Sequence, residues 1–241
     1  MIHIKDRGTT PQSLTSQPIK DYLDICEACK NDLTLPKPQC STSYRNADIF
    51  EAFDTYFFSK CYLSEEKFFN SWDMDVEHFI PQVEKPELKY EWSNLYPASH
   101  NANMVKPRKT PEGGYLDPCK DDVENEIHYA LSFAAQEIWF EAVDITNQKA
   151  INTAQLLSKI HNGDDRDSNR KTENLRHAIF KRKVEILKTI NKWRDAMMNS
   201  KLDEAFQTRK YLQALLSKKS AFTMLMRSME SVKDLPSDFL D

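Results

Sequence analysis

From residue 146 onward the chain is patterned as helix, and that run limits the architectures open to it more than any other feature. Apolar positions recur there at three- and four-residue spacing, the mark of one buried face on a 3.6-residue period. The pattern predicts helices over 146–160, 172–198, 202–217 and 221–232. In the last of these Phe222, Leu225, Met226 and Met229 fall at i, i+3, i+4 and i+7, a stripe suited to burial. Two more helices are expected near the start. One spans 18–33 with Ile19, Tyr22, Leu23, Ile25, Cys26, Cys29 and Leu33 on its apolar positions; the other spans 47–58, where Phe50, Phe53, Tyr56, Phe57 and Phe58 read as core. With only 4 glycines in 241 residues, the fold class to expect is mainly α.

The middle of the chain departs from this pattern. Ile127, Tyr129, Leu131 and Phe133 alternate strictly and Ile138, Phe140 and Ala142 repeat the alternation, which predicts a short β-hairpin, although 134–137 also suits a helix. Residues 107–122 hold three prolines and Gly113-Gly114 and read as irregular. Three regions follow: an N-terminal helical region over 1–60, a core with its following hairpin over 61–145, and a C-terminal helical region over 146–241.

Charge divides along the same lines. Residues 1–164 carry 16 Lys+Arg against 26 Asp+Glu, whereas 165–220 carry 15 against 7. A basic segment on an acidic body can track phosphate backbones or dock on an acidic partner; solvated faces of ordinary helices are the plainer reading. No run approaches the roughly 20 apolar residues that span a bilayer, and MIHIKDRGTTPQSL lacks the apolar segment of a secretory signal, so a cytoplasmic protein with no membrane partner is expected. Cys26, Cys29, Cys40, Cys61 and Cys119 do not form a disulfide framework. Cys26 and Cys29 have the spacing of a metal-ligand pair but share the apolar face of a helix, which favours core. Gly113-Gly114 lacks the length and the Lys-Ser/Thr of a phosphate loop.

The stretch DVEHFIPQ, residues 75–82, concentrates chemistry. Hydrolysis of a phosphodiester needs an activated water, a cation against the charge building on oxygen, and a rigid frame. His78 suits the general base, since imidazole titrates near neutral pH. Glu77 and Asp75 offer the hard oxygens that magnesium or manganese prefers, and two residues apart in a strand they share a face. Asn94 follows His78 by 16 residues and Asn103 follows by 25. If the chain turns helical near Ser99, Asn103 can aim its amide oxygen at a metal held by Glu77, and Lys106, one turn on, can meet a phosphate. His100 shares that face and is a further candidate for metal or phosphate.

These residues resemble the H, N and N of the HNH (ββα-metal) nucleases, and the octapeptide is nearly that of the HNH domain in RNA-guided DNA nucleases. The resemblance implies a small inserted ββα-metal motif with His78 as general base, Glu77 and Asn103 as ligands of Mg2+ or Mn2+, Asp75 assisting, and Asn94 bracing the His-bearing loop. MIHIKDRGTTPQSL, PELKYEWSNL, YLDPCKDD and NTAQLLSKIHNG further resemble the PtuB-type HNH proteins of Septu and retron anti-phage systems, over roughly residues 1–180. That narrower likeness implies a PtuA-like ATPase of the ABC/SMC class as partner, with a retron reverse transcriptase and its DNA–RNA hybrid as further partners, and DNA or a structured RNA such as tRNA as substrate. A catalytically silent nucleic-acid-binding or scaffold subunit is the alternative.

One departure from the family stands out. Two CxxC pairs that hold a structural zinc in such relatives correspond here to Cys61, Ser64, Ser99 and Ala102, so no zinc is expected and packing from Phe68, Phe69, Trp72 and Trp92 must brace the core instead. His128, His161 and His177 stand in no motif.

Overall fold

A computed structural model describes every residue except Leu33, Lys37 and 133–136. The expectations for Leu33, for Phe133 and for a helical alternative over 134–136 therefore lie outside the described residues. Helix α1 runs Gln17–Asn31, with Pro18 in its first turn, where a missing N–H costs nothing. It buries Ile19, Tyr22 and Cys26, while Leu23 and Ile25 face solvent, so its apolar stripe is narrower than the sequence suggests. Helix α2, Ala47–Tyr56, buries Ile49, Phe50 and Phe53. It stops two residues short of 58 because Phe58 and Ser59 turn into positive φ, at 60° and 55°. Phe57 is nevertheless buried, and Tyr56 and Phe58 pack against the core half-exposed.

Strand β1, Asp75–His78, pairs antiparallel with β2, Leu95–Ala98, in a register that sets Asp75 opposite Ala98 and His78 opposite Leu95. Helix α3, His100–Val105, follows at once, capped by Ser99, whose hydroxyl accepts the Ala102 N–H. The second sheet joins β3, Ile127–Ser132, to β4, Glu137–Ala142, preceded by the one-turn α4, Val123–Glu126. Ile127, Tyr129, Ile138 and Phe140 face the interior as their alternation predicts.

Helix α5, Gln148–Asn162, lies against β4, and its last side chain joins that strand's ladder: Asn162 Nδ2 donates to the Ile138 carbonyl at 2.7 Å and its Oδ1 accepts the Ile138 N–H at 3.2 Å. A short α6, Arg166–Lys171, was not legible from apolar spacing, because none of its residues is buried. A capping box between Asp165 and Ser168 holds it instead. Helices α7, Glu173–Met198, and α8, Leu202–Leu216, pack on each other across a link in which Ser200 takes φ 56°. The helix expected over 221–232 is two, α9 (Thr223–Arg227) and α10 (Glu230–Lys233), because Met229 between them is extended. All four residues of its stripe are still buried.

The three expected regions share one hydrophobic core that runs from Met1 to Phe239. A buried polar knot ties them. The Met1 ammonium meets Glu65 Oε1 at 2.9 Å and donates to the Tyr129 hydroxyl at 2.8 Å. Lys60 reaches Glu65 Oε2 at 3.1 Å, Thr223 Oγ1 at 3.0 Å and the Lys218 carbonyl at 3.0 Å. Burial pushes the Glu65 carboxyl up, but the two ammonium groups outweigh it and hold the group down at about 2. No helix among the described residues is long and apolar enough to cross a membrane.

Candidate active site

The β1–β2 pair and α3 bring four of the candidate residues, Glu77, His78, Asn103 and Lys106, to one cleft of about 430 Å³, while Asp75, Asn94 and His100 lie outside its lining. Glu77, His78, Gln82, Asn103 and Lys106 line it, with Val83, Met104 and Arg108 at the rim. An aromatic cluster packs around β2: the Tyr96 ring sits 4.8 Å from Tyr62, 5.5 Å from Phe79 and 5.7 Å from Phe57, centre to centre. Pro97 has no N–H to give the ladder, and its carbonyl accepts from Tyr62 N at 2.9 Å, so β2 is tied on its other edge to the turn at Cys61.

His78 is the last residue of β1, and its ring is fixed on three sides. Nε2 lies 3.0 Å from the Lys89 carbonyl, which can only accept, so Nε2 carries the hydrogen and Nδ1 keeps its lone pair. The Gln82 amide donates to Nδ1 at 3.2 Å, and Tyr44 meets the ring edge-on at 5.1 Å. Burial lowers the imidazole's pKa; the bond to Lys89 raises it, and the charges of Lys106 and Lys89 lower it further. The net direction is down from 6.5, which leaves His78 neutral at pH 7 with a basic nitrogen in the cleft.

Asn94 is buried and holds the loop that follows His78. Its Oδ1 accepts the Ile80 N–H at 2.7 Å, and its Nδ2 donates to the carbonyls of Ile80 at 3.0 Å and Leu88 at 3.2 Å. It does not line the cleft, and these bonds brace the loop. Asp75 Oδ2 accepts from Asn103 Nδ2 and from His100 Nδ1, both at 2.9 Å. With its nitrogen turned to Asp75, the planar Asn103 amide points its oxygen the other way. His100 is exposed, lies outside the cleft residues and reaches the site only through Asp75.

Lys106 corrects an expectation. It does not stand out towards a phosphate: its ammonium is buried and donates to Glu77 Oε1 at 2.5 Å, to the His78 carbonyl at 2.8 Å and to the Phe79 carbonyl at 2.7 Å. Lys106 leaves α3 in an extended conformation, and the buried Glu77 carboxylate draws the lysine inward because it needs a counter-charge. Glu77 Oε2 accepts the Tyr62 hydroxyl at 2.8 Å.

The bracing of this unit also differs from the expected one. Trp92 is buried and stacks on Phe53 at 5.3 Å, and Phe68 packs against the core. Phe69 is 95% exposed and Trp72 half-exposed, with one face on Phe50 at 4.3 Å, so neither closes the core. Cys61, Ser64, Ser99 and Ala102, the positions at which no zinc is expected, pair among themselves: Cys61 Sγ accepts the Ser64 N–H at 3.4 Å, and Ser99 caps Ala102. The main brace is Arg7, which no motif singled out. Its guanidinium donates to the carbonyls of Ser93 (3.1 Å), Leu95 (2.7 Å) and Trp92, and lies 4.7 Å from the centres of the Trp92 and Tyr96 rings. Asp117, in YLDPCKDD, accepts the Tyr96 hydroxyl.

Among the described residues no group of three or more His, Cys, Asp and Glu side chains is set to hold a metal ion. The expected donors are two carboxylates and an amide, Glu77, Asp75 and Asn103. As hard oxygens they fit magnesium or manganese, which needs few protein ligands and keeps waters for the rest. Cys26 is buried in the face of α1, while Cys29 and Cys40 make separate long contacts to the carbonyls of Pro36 and Pro18. No match to this chain is found among protein-family models, curated proteins or solved structures.

Proposed function

We propose that this chain is a metal-dependent endonuclease of the HNH type. The observation that carries the reading is the setting of His78: Nε2 lies 3.0 Å from the Lys89 carbonyl, an acceptor that favours the hydrogen on Nε2 and leaves Nδ1 the basic nitrogen, in the cleft that Glu77 and Asn103 also line. That is the arrangement a general base for water requires.

In this reading Glu77 and the Asn103 oxygen would hold the divalent ion, and Asp75 fixes the Asn103 amide by accepting from its Nδ2. A divalent ion held by them would supply positive charge against the phosphate and the leaving oxygen. His78 takes the proton of the attacking water at Nδ1 once Gln82 yields that position, and the Lys89 carbonyl stabilises the imidazolium that results. Asn94 keeps the loop from Phe79 to Leu88 in register so that the ring cannot swing. Backbone phosphates are the contacts this cleft can make, so DNA and structured RNA such as tRNA are both candidate substrates. The predominantly acidic body over 1–164 argues for weak binding alone and for a partner that supplies affinity, an ATPase of the PtuA-like class.

The test is cleavage of plasmid DNA and of tRNA by purified protein with Mg2+ or Mn2+, alone and with such an ATPase, for wild type and His78→Ala. Cleavage that depends on both metal and His78 is expected. Equal cleavage by the variant refutes the assignment of the base, and no cleavage under any condition favours the silent scaffold.

A further inference from the structure

The Lys106 ammonium is held by three oxygens, one of a carboxylate and two of carbonyls, within 2.8 Å, with the centre of the Phe79 ring at 5.6 Å. Such hard donors also suit a divalent cation. This site opens on the cleft, and both side chains of the ion pair are almost fully buried, 3% exposed for Lys106 and 6% for Glu77. Burying a carboxylate at that depth is costly without a counter-charge, and among the described residues Lys106 is the cation that contacts it. A divalent ion on Glu77 would supply the same compensation. With Oε2 taken by the Tyr62 hydroxyl, Oε1 is the oxygen both cations would need, and at separations of a few ångströms like charges repel strongly in a buried site.

We infer that Lys106 is a tethered counter-ion that competes with the metal for Glu77, and that metal binding releases its ammonium into the cleft, where it meets substrate phosphate. The inference rests on the proposed reading in taking Glu77 as a metal ligand. It reconciles the position of Lys106 one turn beyond Asn103 with its inward course, since the same flexible stem serves the closed and the loaded states. Metal and substrate then bind cooperatively, as phosphate stabilises the displaced ammonium, and the coupling is reciprocal.

The experiment is calorimetric titration of Mn2+ into the full chain as wild type, Lys106→Met and Glu77→Gln, without substrate. Lys106→Met keeps the stem and removes the competitor, so it should bind Mn2+ about tenfold more tightly or better, within the usual range of such couplings. Glu77→Gln should bind weakly or not at all. Equal or weaker binding by Lys106→Met, with Glu77→Gln still deficient, overturns the competition but leaves the metal site standing. No binding by wild type or Lys106→Met at millimolar Mn2+ overturns both. Should Lys106→Met fail to fold without metal, the wild-type chain decides: its Lys106 ε-carbon NMR signal should shift on saturation with Mg2+, and an unmoved signal refutes the release.

Discussion

Asn94 grips Ile80 by both of its backbone groups, accepting its N–H at 2.7 Å and donating to its carbonyl at 3.0 Å. The same amide reaches Leu88, and the Asn94 carbonyl accepts Phe79 N–H at 2.8 Å, so the loop after His78 is knit to the start of β2. Replacement by Ala strands several buried polar groups at once. Asn94→Ala should therefore lose about 2–4 kcal/mol of stability, read from urea unfolding, together with most of the cleavage activity. A loss within error of zero contradicts the bracing role.

The pH dependence of cleavage should report His78. Burial, with the nearby lysine charges, holds its pKa below the ordinary 6.5. The base works only when neutral, so activity should be full at pH 7 and fall as pH drops through that lowered value. A rate still rising steeply between pH 7 and 8 would mean a different base.

Arg7 spans three carbonyls and two aromatic faces, a task that suits a planar fork and not a point charge. Arg7→Lys should cost about 2–3 kcal/mol, although charge is conserved. A variant as stable as wild type in thermal and urea unfolding would show that the guanidinium is not the brace.

Acid should destabilise the fold through His161 as well as through its carboxylates. His161 is buried, with Nδ1 on the Leu157 carbonyl at 2.7 Å and Nε2 unpartnered, and burial pushes its pKa down to about 4. The unfolded chain takes the proton near 6.5 and the folded one only near 4, so stability falls as pH drops from about 6.5 and levels off below about 4. The share due to this group is about 3 kcal/mol. Urea unfolding of wild type and His161→Met at pH 7 and pH 4.5 should show a shallower decline in the variant; parallel declines would exclude His161.

What could be seen in the sequence was whatever its residue types state locally. Helices α5, α7 and α8 follow from apolar spacing, the β3–β4 hairpin from alternation, and the gathering of His78, Glu77 and Asn103 from the chemistry of DVEHFIPQ and the asparagines beyond it. What stayed hidden depends on distant backbone. Arg7 finds its partners in carbonyls at Trp92, Ser93 and Leu95, and a carbonyl has no residue type to betray it. The inward turn of Lys106 depends on the burial of Glu77, known only once β1 is packed. The break between α9 and α10 leaves every stripe residue buried, so periodicity could not reveal it. Phe69 and Trp72 looked like core by type, yet the turn that carries them runs along the surface.

The central claim is that His78 drives metal-dependent hydrolysis of phosphodiester bonds. Its most direct test is to express the chain, wild type and His78→Ala, with a PtuA-like ATPase in bacteria and to sequence new DNA ends and RNA ends after phage challenge. The account predicts new ends in one pool with wild type and none with His78→Ala, the pool naming the substrate. Ends that appear equally with both proteins would contradict it.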